Sequence, residues 1–471
     1  MNYRFDPSSL SQLDAGRFQR YRDYLDFYRG EQWPSTGGRR ERRLIFNYAR
    51  VTVDKLTSYL MSNLNFAVES AGQQKGKEHG KSRDVEAKRG ASEAEKAIYD
   101  VYQQNGLSAL DFDTEVDCAV LGDACYKVTW DEVEERVRIT APDPQGLYAW
   151  WLGDDVSRVW RVVSQYSLSA EEVELLYPSA GAIHELPLLS TNNKSYRITE
   201  VWTDKEFTLY IDGKAMQDGP NPYGFIPFVI FPNLREPKQF WGVSDIPVLM
   251  EPQRELNRAL SQLSRILELS GNPIAVLENV ESSEDIAVQP GAVWNIPEDA
   301  KAYLLDLLQG GGTRLHIDYI DLVYRTMHDI SESPRAAFGG TERDLSGVAL
   351  EIELHPLLQK VKRKRTIRTA AYIKRNEMVL ALLKQFRGLD FGPISQRIVW
   401  GPILPQDTGR QVQNEQMLVQ TGIHSRRTAM DELGLRDPEQ EFSRWMEERR
   451  SILEQNRELQ AKFGEKSKMK D

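Results

Sequence analysis

Residues 244–270 read SDIPVLMEPQRELNRALSQLSRILELS, and this stretch decides the fold of the chain. One stripe of side chains recurs at alternating spacings of four and three: Leu249, Gln253, Leu256, Leu260, Leu263 and Leu267. That spacing predicts a helix with a narrow apolar seam that packs along other helices. At 1.5 Å per residue the helix would be about 40 Å long. The five leucines are therefore the expected packing residues.

Two more long helices are predicted downstream. Residues 313–333 place Ile317, Ile320, Tyr324 and Met327 on one face, and a proline at position 334 ends the pattern. Residues 347–386 predict a helix of about 60 Å. Helices this long need a structural reason. Joined through a small insert and a loop, they indicate the walls of an assembly rather than an enzyme pocket.

The insert lies between the first two long helices, at 271–312. Its pattern predicts strands at 273–277 and 292–296 and a short helix at 300–308. The glycines at 310–312 do not form a phosphate-binding loop, because no Gly-Lys-Ser/Thr sequence follows them.

The first 240 residues predict an α+β domain. Helical periodicity covers 9–30, 47–64, 94–120 and 170–177. Alternation predicts a hairpin turning at 131–135 and further strands at 148–151, 159–166, 196–202, 207–211 and 225–231. Residues 70–91 are rich in charge and glycine, which is typical of a solvated loop or the start of a charged helix. A strand at 398–405 and helices over 408–463 complete a fold that is α+β and mostly helical.

Composition excludes some classes of protein. The 471 residues contain 60 basic and 70 acidic side chains, a net charge of -10. This balance argues against a protein that coats nucleic acid by bulk attraction, and an acidic surface would let DNA slide past. Cys118 and Cys125 are predicted to be buried, reduced thiols, because their spacing fits no zinc motif. No secretory signal is visible in residues 1–10, and the run 225–231 is far shorter than the roughly 20 residues that span a bilayer. The expected place is the cytosol or a particle assembled there, with no membrane contact.

The motifs that carry catalysis are missing from the sequence. The six histidines form no metal-type pair, and His184–Glu185 lacks a second histidine four residues on. There is no Gly-x-Ser-x-Gly elbow, Walker loop or dinucleotide fingerprint. The sequence therefore predicts no enzyme, no metal and no cofactor. A nuclease with two metal ions remains open at this point.

Basic residues crowd the third long helix, with Lys360, Lys364 and Arg368 as the main candidates. Helical geometry points them in several directions, so they do not form one DNA-reading edge. Two interpretations stay open. The charges either pair with acidic neighbours or adjacent subunits, or they contact phosphates.

Four short motifs carry a family resemblance. They are FYRGEQ at 27–32, NPYGFIPF at 221–228, GVSDI at 242–246 and SGVAL at 346–350. Their order and spacing, with the layout helix, insert, helix, loop, long helix, resemble the portal proteins of tailed double-stranded-DNA bacteriophages, in the long-tailed, siphophage-like branch. The resemblance covers roughly residues 20–400.

The resemblance implies a division of the chain into portal segments. The implied segments are a wing (1–240), a first stem helix (241–270), a clip (271–312), a second stem helix (313–333), a tunnel loop (334–346), a long wing helix with a crossing strand (347–407) and a helical crown (408–471).

It also implies a function without catalysis. Portal subunits form a ring, usually of twelve, at one vertex of the capsid, and DNA passes through it during packaging and ejection. The implied partners are further copies of the chain, double-stranded DNA without sequence preference, the large terminase subunit, head–tail connector or adaptor proteins, and the major capsid and scaffolding proteins. The place would be the virion, after assembly in the host cytoplasm. Two alternatives remain, another minor capsid or adaptor protein and a nucleic-acid-processing enzyme.

The site residues implied by the resemblance fall into two groups. The tunnel-loop candidates for facing DNA are Arg335, Phe338, Gly339, Gly340, Arg343 and Asp344. Glycines let the backbone of such a loop move. The candidates for an acidic channel lining, which would keep phosphates from sticking, are Asp318, Asp321, Asp329 and Glu332.

Overall fold

The computed structural model describes residues 5–33, 43–62, 64–70, 81–177, 195–271, 274–278, 299, 301–305, 312–340, 347–404, 408–435, 438 and 441–454. The chain divides into two compact units. The first comprises Met1–Met61 and Phe66–Val399, and the second comprises Ser62–Asn65 and Trp400–Asp471.

The fold is mixed α/β. The helices are α1 (Ala15–Arg29), α2 (Tyr48–Leu60), α3 (Lys81–Gln104), α4 (Leu107–Leu121), α5 (Ala170–Leu176), α6 (Pro247–Gly271), α7 (Gly312–Ile330), α8 (Gly347–Arg387), α9 (Thr408–Gln420) and α10 (Arg426–Glu432). The strands are β1 (Leu64–Ser70), β2 (Asp123–Asp131), β3 (Arg136–Thr140), β4 (Leu147–Leu152), β5 (Asp155–Ser169), β6 (Ser195–Trp202), β7 (Glu206–Ile211), β8 (Lys214–Pro220), β9 (Phe228–Pro232), β10 (Ile274–Glu278), β11 (Lys301–Leu305) and β12 (Ile394–Trp400).

Antiparallel sheets organise the first part of the chain. A five-stranded sheet has the order β4-β5-β6-β7-β8, and a three-stranded sheet has the order β3-β2-β9. The predicted hairpin is confirmed as β2–β3, with Val128 opposite Ile139. Glu135 adopts a φ of 48° in its turn. Separate ladders join β10 to β11 and β1 to β12.

Several sequence predictions differ from the structure. The helix predicted at 300–308 is wrong: Lys301–Leu305 is the strand β11, paired over its whole length with β10. A five-residue apolar stretch has no reliable period of its own, so the ladder to a partner strand decides its conformation. The strand β8 was missed because its sequence KAMQDGP contains glycine and proline, which are tolerated at the edge of a sheet. The strand predicted at 292–296 lies outside the described residues.

The hydrophobic core joins α6 and α7 to the helices of the first 240 residues. α6 and α7 run antiparallel, since Leu249 lies with Met327 in one buried cluster while Glu255 accepts a hydrogen bond from Tyr319. The same cluster takes Tyr21 from α1 and Val53 from α2. One end of the helix pair is therefore packed against α1 and α2.

Cys118 and Cys125 are free and buried, as predicted. Among the described residues no helix has both the length and the apolar character needed to cross a bilayer.

Candidate functional site

The seam between α6 and α7 is buried near α1 and α2 and becomes more exposed toward the insert. Leu249 and Leu256 are fully buried, while Leu260 and Leu263 are half-buried. Leu267, further along the same stripe, leaves 51% of its surface exposed. The stripe is therefore buried at its start, and the described residues do not cover its last position.

α7 carries a second apolar face, at the edge of its contact with α6, where the Tyr319 hydroxyl donates to Glu255 at 2.8 Å. Leu315, Tyr319, Leu322 and Ile330 share this face at helical spacing, and Leu315 is 72% and Leu322 60% exposed. We call these four residues the outer face of α7. A contiguous exposed apolar face is a mark of an interaction surface.

A surface groove of about 660 Å³ lies beside this face. It is lined by residues of α6, by Leu322, Val323 and Thr326 of α7, and by Trp33 from the segment that follows α1. The outer face of α7 and this groove form one continuous surface through Leu322.

The end of α7 is a Schellman turn without the usual glycine. The Ser333 N–H donates to His328 O at 3.1 Å, and the Glu332 N–H donates to Asp329 O at 3.2 Å. Glu332 occupies the left-handed position with a φ of 54°. An L-residue pays about 1–2 kcal/mol there. The Arg363 guanidinium of α8 contacts both Glu332 carboxylate oxygens, at 2.7 and 2.8 Å, and so secures the turn.

His328 fills the space between this turn and the segment that follows. Its Nδ1 lies 2.6 Å from Ser333 O, and because a carbonyl only accepts, Nδ1 must carry the proton. Its ring packs edge-on against Tyr324 at 4.5 Å and against Phe338 at 5.1 Å between ring centroids. Burial lowers the pKa of His328, so the neutral ring is favoured.

The segment that follows α7, residues 334–340, packs back onto α7. Arg335–Phe338 forms one 3₁₀ turn, and Gly339 takes a φ of 84° at its end. The Arg335 guanidinium lies 5.4 Å from the Tyr324 ring and 3.9 Å from an oxygen of Asp321. Gly339 and Gly340 are exposed, whereas Phe338 is half-buried. Arg343 and Asp344 lie outside the described residues.

The acidic candidates on α7 differ in their surroundings. Asp321 pairs with Arg325 at 2.5 Å, and Glu332 pairs with Arg363, so both charges have basic partners in the chain. Asp318 and Asp329 are exposed on the edge of α7 next to its outer face.

The basic candidates on α8 require a correction. Lys360, Lys364 and Arg368 are 4%, 1% and 0% exposed, so in this chain they are not available to phosphates or to adjacent subunits. Both lysines contact the buried carboxylate of Asp245, Lys360 at 2.8 Å. Of the two open interpretations, ion pairing with acidic neighbours in the same chain is the one seen. Sequence spacing gives the direction of these side chains but not the depth at which α8 is buried.

Asp245 contacts both α4 and α8 from the entrance of α6. It stands at the entrance of α6, and its backbone N–H donates to Ala119 O at 2.9 Å at the end of α4. Lys360 also donates to Ser331 O at 3.0 Å, which links the same charge cluster to the end of α7. Burial alone would raise the pKa of Asp245, but the two ammonium groups outweigh it and hold the pKa well below its usual range.

Further along α8, two buried arginines hold α4. Arg368 uses its guanidinium on both oxygens of Glu115, at 2.8–2.9 Å, and on the carbonyls of Pro232 and Asn233, each at 2.8 Å. Arg375 forms a bidentate pair with Asp111 at 2.6 and 3.0 Å. Sequence reasoning missed these acidic partners, although Asp111 and Glu115 are spaced i, i+4, which places them on one face of α4.

The described residues contain no group of three or more His, Cys, Asp or Glu side chains placed to hold a metal ion. The buried charged side chains of this region form ion pairs with each other. What the arrangement provides is a rigid junction, at which α4, the entrance of α6, the end of α7 and the middle of α8 meet.

Comparison with known proteins identifies the family. A family model described as phage portal protein, SPP1 Gp6-like, matches residues 12–455. A search of curated proteins finds no match. The family match spans nearly the whole chain, with α6, α7, the following turn and α8 inside it, and the chain therefore belongs to the SPP1 Gp6-like family of phage portal proteins.

Proposed function

We propose that this portal protein forms a closed ring at one capsid vertex and that double-stranded DNA is packaged and ejected through its central channel. The observation that carries this proposal is the antiparallel pair α6–α7, anchored in the wing at one end and exposing an uncovered apolar face on α7. Portal proteins are structural components of the virion rather than enzymes.

The outer face of α7 supports a ring of identical subunits. In a cyclic ring each subunit contacts its neighbours through two different surfaces, and the contacts close on themselves. Leu315 and Leu322 would then be buried by the neighbouring copy, as would the exposed end of the α6 seam at Leu267. The ring is proposed to contain twelve subunits, as is usual for the family.

The portal segments follow from this arrangement as proposals. Residues 1–240 would be the wing, 241–270 and 313–333 the stem helices, 271–312 the clip, 334–346 the tunnel loop, 347–407 the long wing helix with the crossing strand, and 408–471 the crown. The paired strands β10 and β11 support a small folded clip at the far end of the stem helices.

The contacts with DNA are proposed to be weak and free of sequence preference. Asp318 and Asp329 are exposed on α7, and carboxylates in a channel lining would discourage phosphates from sticking. In the tunnel loop the exposed backbone of Gly339 and Gly340 is the part best placed to approach a duplex, because Arg335 and Phe338 contact α7.

The proposed partners are those of a portal vertex. The clip would dock the large terminase subunit during packaging and the head–tail connector or adaptor proteins afterwards. The wing and crown would meet the major capsid and scaffolding proteins. Assembly would take place in the host cytoplasm, before the protein becomes part of the virion.

The outer face of α7 gives a direct test of the ring interface. Replacing both Leu315 and Leu322 by glutamate is expected to abolish ring assembly, because the interface would bury two unpaired charges. Native mass spectrometry should show monomers or small oligomers for this variant.

The matched control is Leu175→Glu, at a leucine of α5 that is 80% exposed but lies away from the stem. It should assemble like the unaltered protein. Full-size rings from the doubly substituted protein would reject α7 as the interface.

A further inference from the structure

The turn at 328–333 holds one titratable side chain that the proposed channel does not explain. His328 is 4% exposed, and its Nε2 is buried without a hydrogen-bond partner among the residues that the structure describes. Its other nitrogen is fixed as a donor to Ser333 O. The imidazole is thus neutral, and Nε2 is its unprotonated nitrogen. A second proton, on Nε2, would have no acceptor among the described residues.

We propose that neutral His328 is the positioning residue that latches the first half of the tunnel loop, residues 334–340, onto the end of α7, and that protonation of its imidazole releases this segment. The inference rests on the proposed function only in naming the segment a tunnel loop.

The contacts of the ring explain how one residue positions the segment. Its Nδ1–H fixes the carbonyl of Ser333, the last residue before Pro334. Its ring packs against Phe338, the last residue of the 3₁₀ turn. The segment is therefore held at its start and at its end by the same imidazole. In between, Arg335 lies against Tyr324 and Asp321 of α7, and the Tyr59 hydroxyl donates to Ala337 O at 3.4 Å.

The charged surroundings decide the effect of a proton. On α7 the neighbouring groups are Asp329, which favours protonation, and the Tyr324 hydroxyl; on the segment it is Arg335, which opposes protonation. From α8, Lys360 reaches Ser331 O, one turn from the ring, and its charge is paired with Asp245. A proton on Nε2 would be a buried donor without an acceptor, which is costly.

The sign of the pH dependence follows from this burial. The folded state binds the proton more weakly than an exposed histidine of ordinary pKa 6.5 does. The latch is therefore fully closed above that value and weakens as the pH falls below it. The adjoining ion pair of Glu332 with Arg363 does not involve the imidazole, so we expect it to hold the turn when the segment is released.

Hydrogen exchange of the intact protein tests the proposal. The amides of Ala337, Gly339 and Gly340 donate to carbonyls within the segment, so they report its closure. After correction for intrinsic exchange, their protection is expected to fall about 10-fold from pH 7.5 to 5.5, the effect of losing one hydrogen bond. In His328→Phe, which keeps an aromatic ring for Phe338, protection should be low at both pH values.

Two further variants separate a latch from a general structural role. His316→Phe alters another histidine of α7 and should keep both the protection and its pH dependence. Glu332→Ala loosens the turn, so it should lower protection while keeping the pH dependence, and it also serves if His328→Phe does not fold. Protection that is equal at the two pH values in the unaltered protein, or unchanged in His328→Phe, would overturn the proposal. The readout needs no DNA and no ring, so a protein that failed to form rings would contradict the channel and leave this test valid.

Discussion

Replacing Arg368 by methionine is expected to lower the free energy of unfolding by about 3–5 kcal/mol, the usual cost of breaking a buried ion pair. The guanidinium is fully buried and satisfies the Glu115 carboxylate together with the carbonyls of Pro232 and Asn233. Methionine fills a similar volume but removes the guanidinium from the two carbonyls and from the buried carboxylate, which keeps the Tyr372 hydroxyl as a donor at 3.3 Å. Denaturation by urea, followed by tryptophan fluorescence at one fixed protein concentration, measures the loss.

A second substitution separates the cost of the unpaired charge from the cost of altered packing. Replacing Glu115 by leucine in the Arg368→Met variant removes the stranded carboxylate, so part of the lost stability should return. Recovery should be incomplete, because the carbonyls of Pro232 and Asn233 stay without their donor. If Arg368→Met alone unfolds at the same urea concentration as the unaltered protein, the junction between α8 and α4 does not depend on this pair.

Replacing Asp245 by asparagine is expected to have an effect of the same size, about 3–5 kcal/mol. Asparagine keeps the shape but leaves two buried ammonium groups, on Lys360 and Lys364, without the carboxylate that neutralises them. Because Lys360 also holds Ser331, the end of α7 should loosen as well. The same urea experiment measures the change in stability.

The control for Asp245 is an exposed ion pair at the end of α8. Asp390 pairs with Lys384 on the surface, with both side chains more than half exposed, and Asp390→Asn should unfold like the unaltered protein. A comparable loss in both variants would mean that the effect of Asp245→Asn does not come from its burial.

The pH dependence of the Asp245 effect has a definite sign. The two lysines hold the pKa of this carboxyl below its ordinary value of 3.8, so its contribution is present above that value and is lost as the pH falls through the lower folded-state pKa. The stability difference between the unaltered protein and Asp245→Asn should therefore stay constant at neutral pH and begin to shrink only below about pH 4.

Patterns that repeat over many residues predicted much of this molecule. The leucine stripe from Leu249 to Leu267 predicted α6. The helix predicted at 347–386 differs from α8 by one residue at its end. The hairpin β2–β3 and the strands β4 to β7 followed from alternation. These elements repeat one signal over many residues, so tertiary packing does not override it.

Short segments and the buried charges were harder to predict. The strand β11 depends on a partner strand distant in the chain. Lys360, Lys364 and Arg368 resemble a solvated basic face, because their acidic partners lie more than 100 residues away. The turn after α7 has glutamate where a glycine would have signalled a left-handed end, so neither its geometry nor the role of His328 was visible in the sequence.

Symmetry-averaged electron microscopy of the purified protein tests the central claim most directly. The proposal predicts closed rings with an open central channel, in which the outer face of α7, with Leu315 and Leu322, is covered by the neighbouring subunit. Monomers, open chains of subunits, or rings that leave this face in solvent would contradict it.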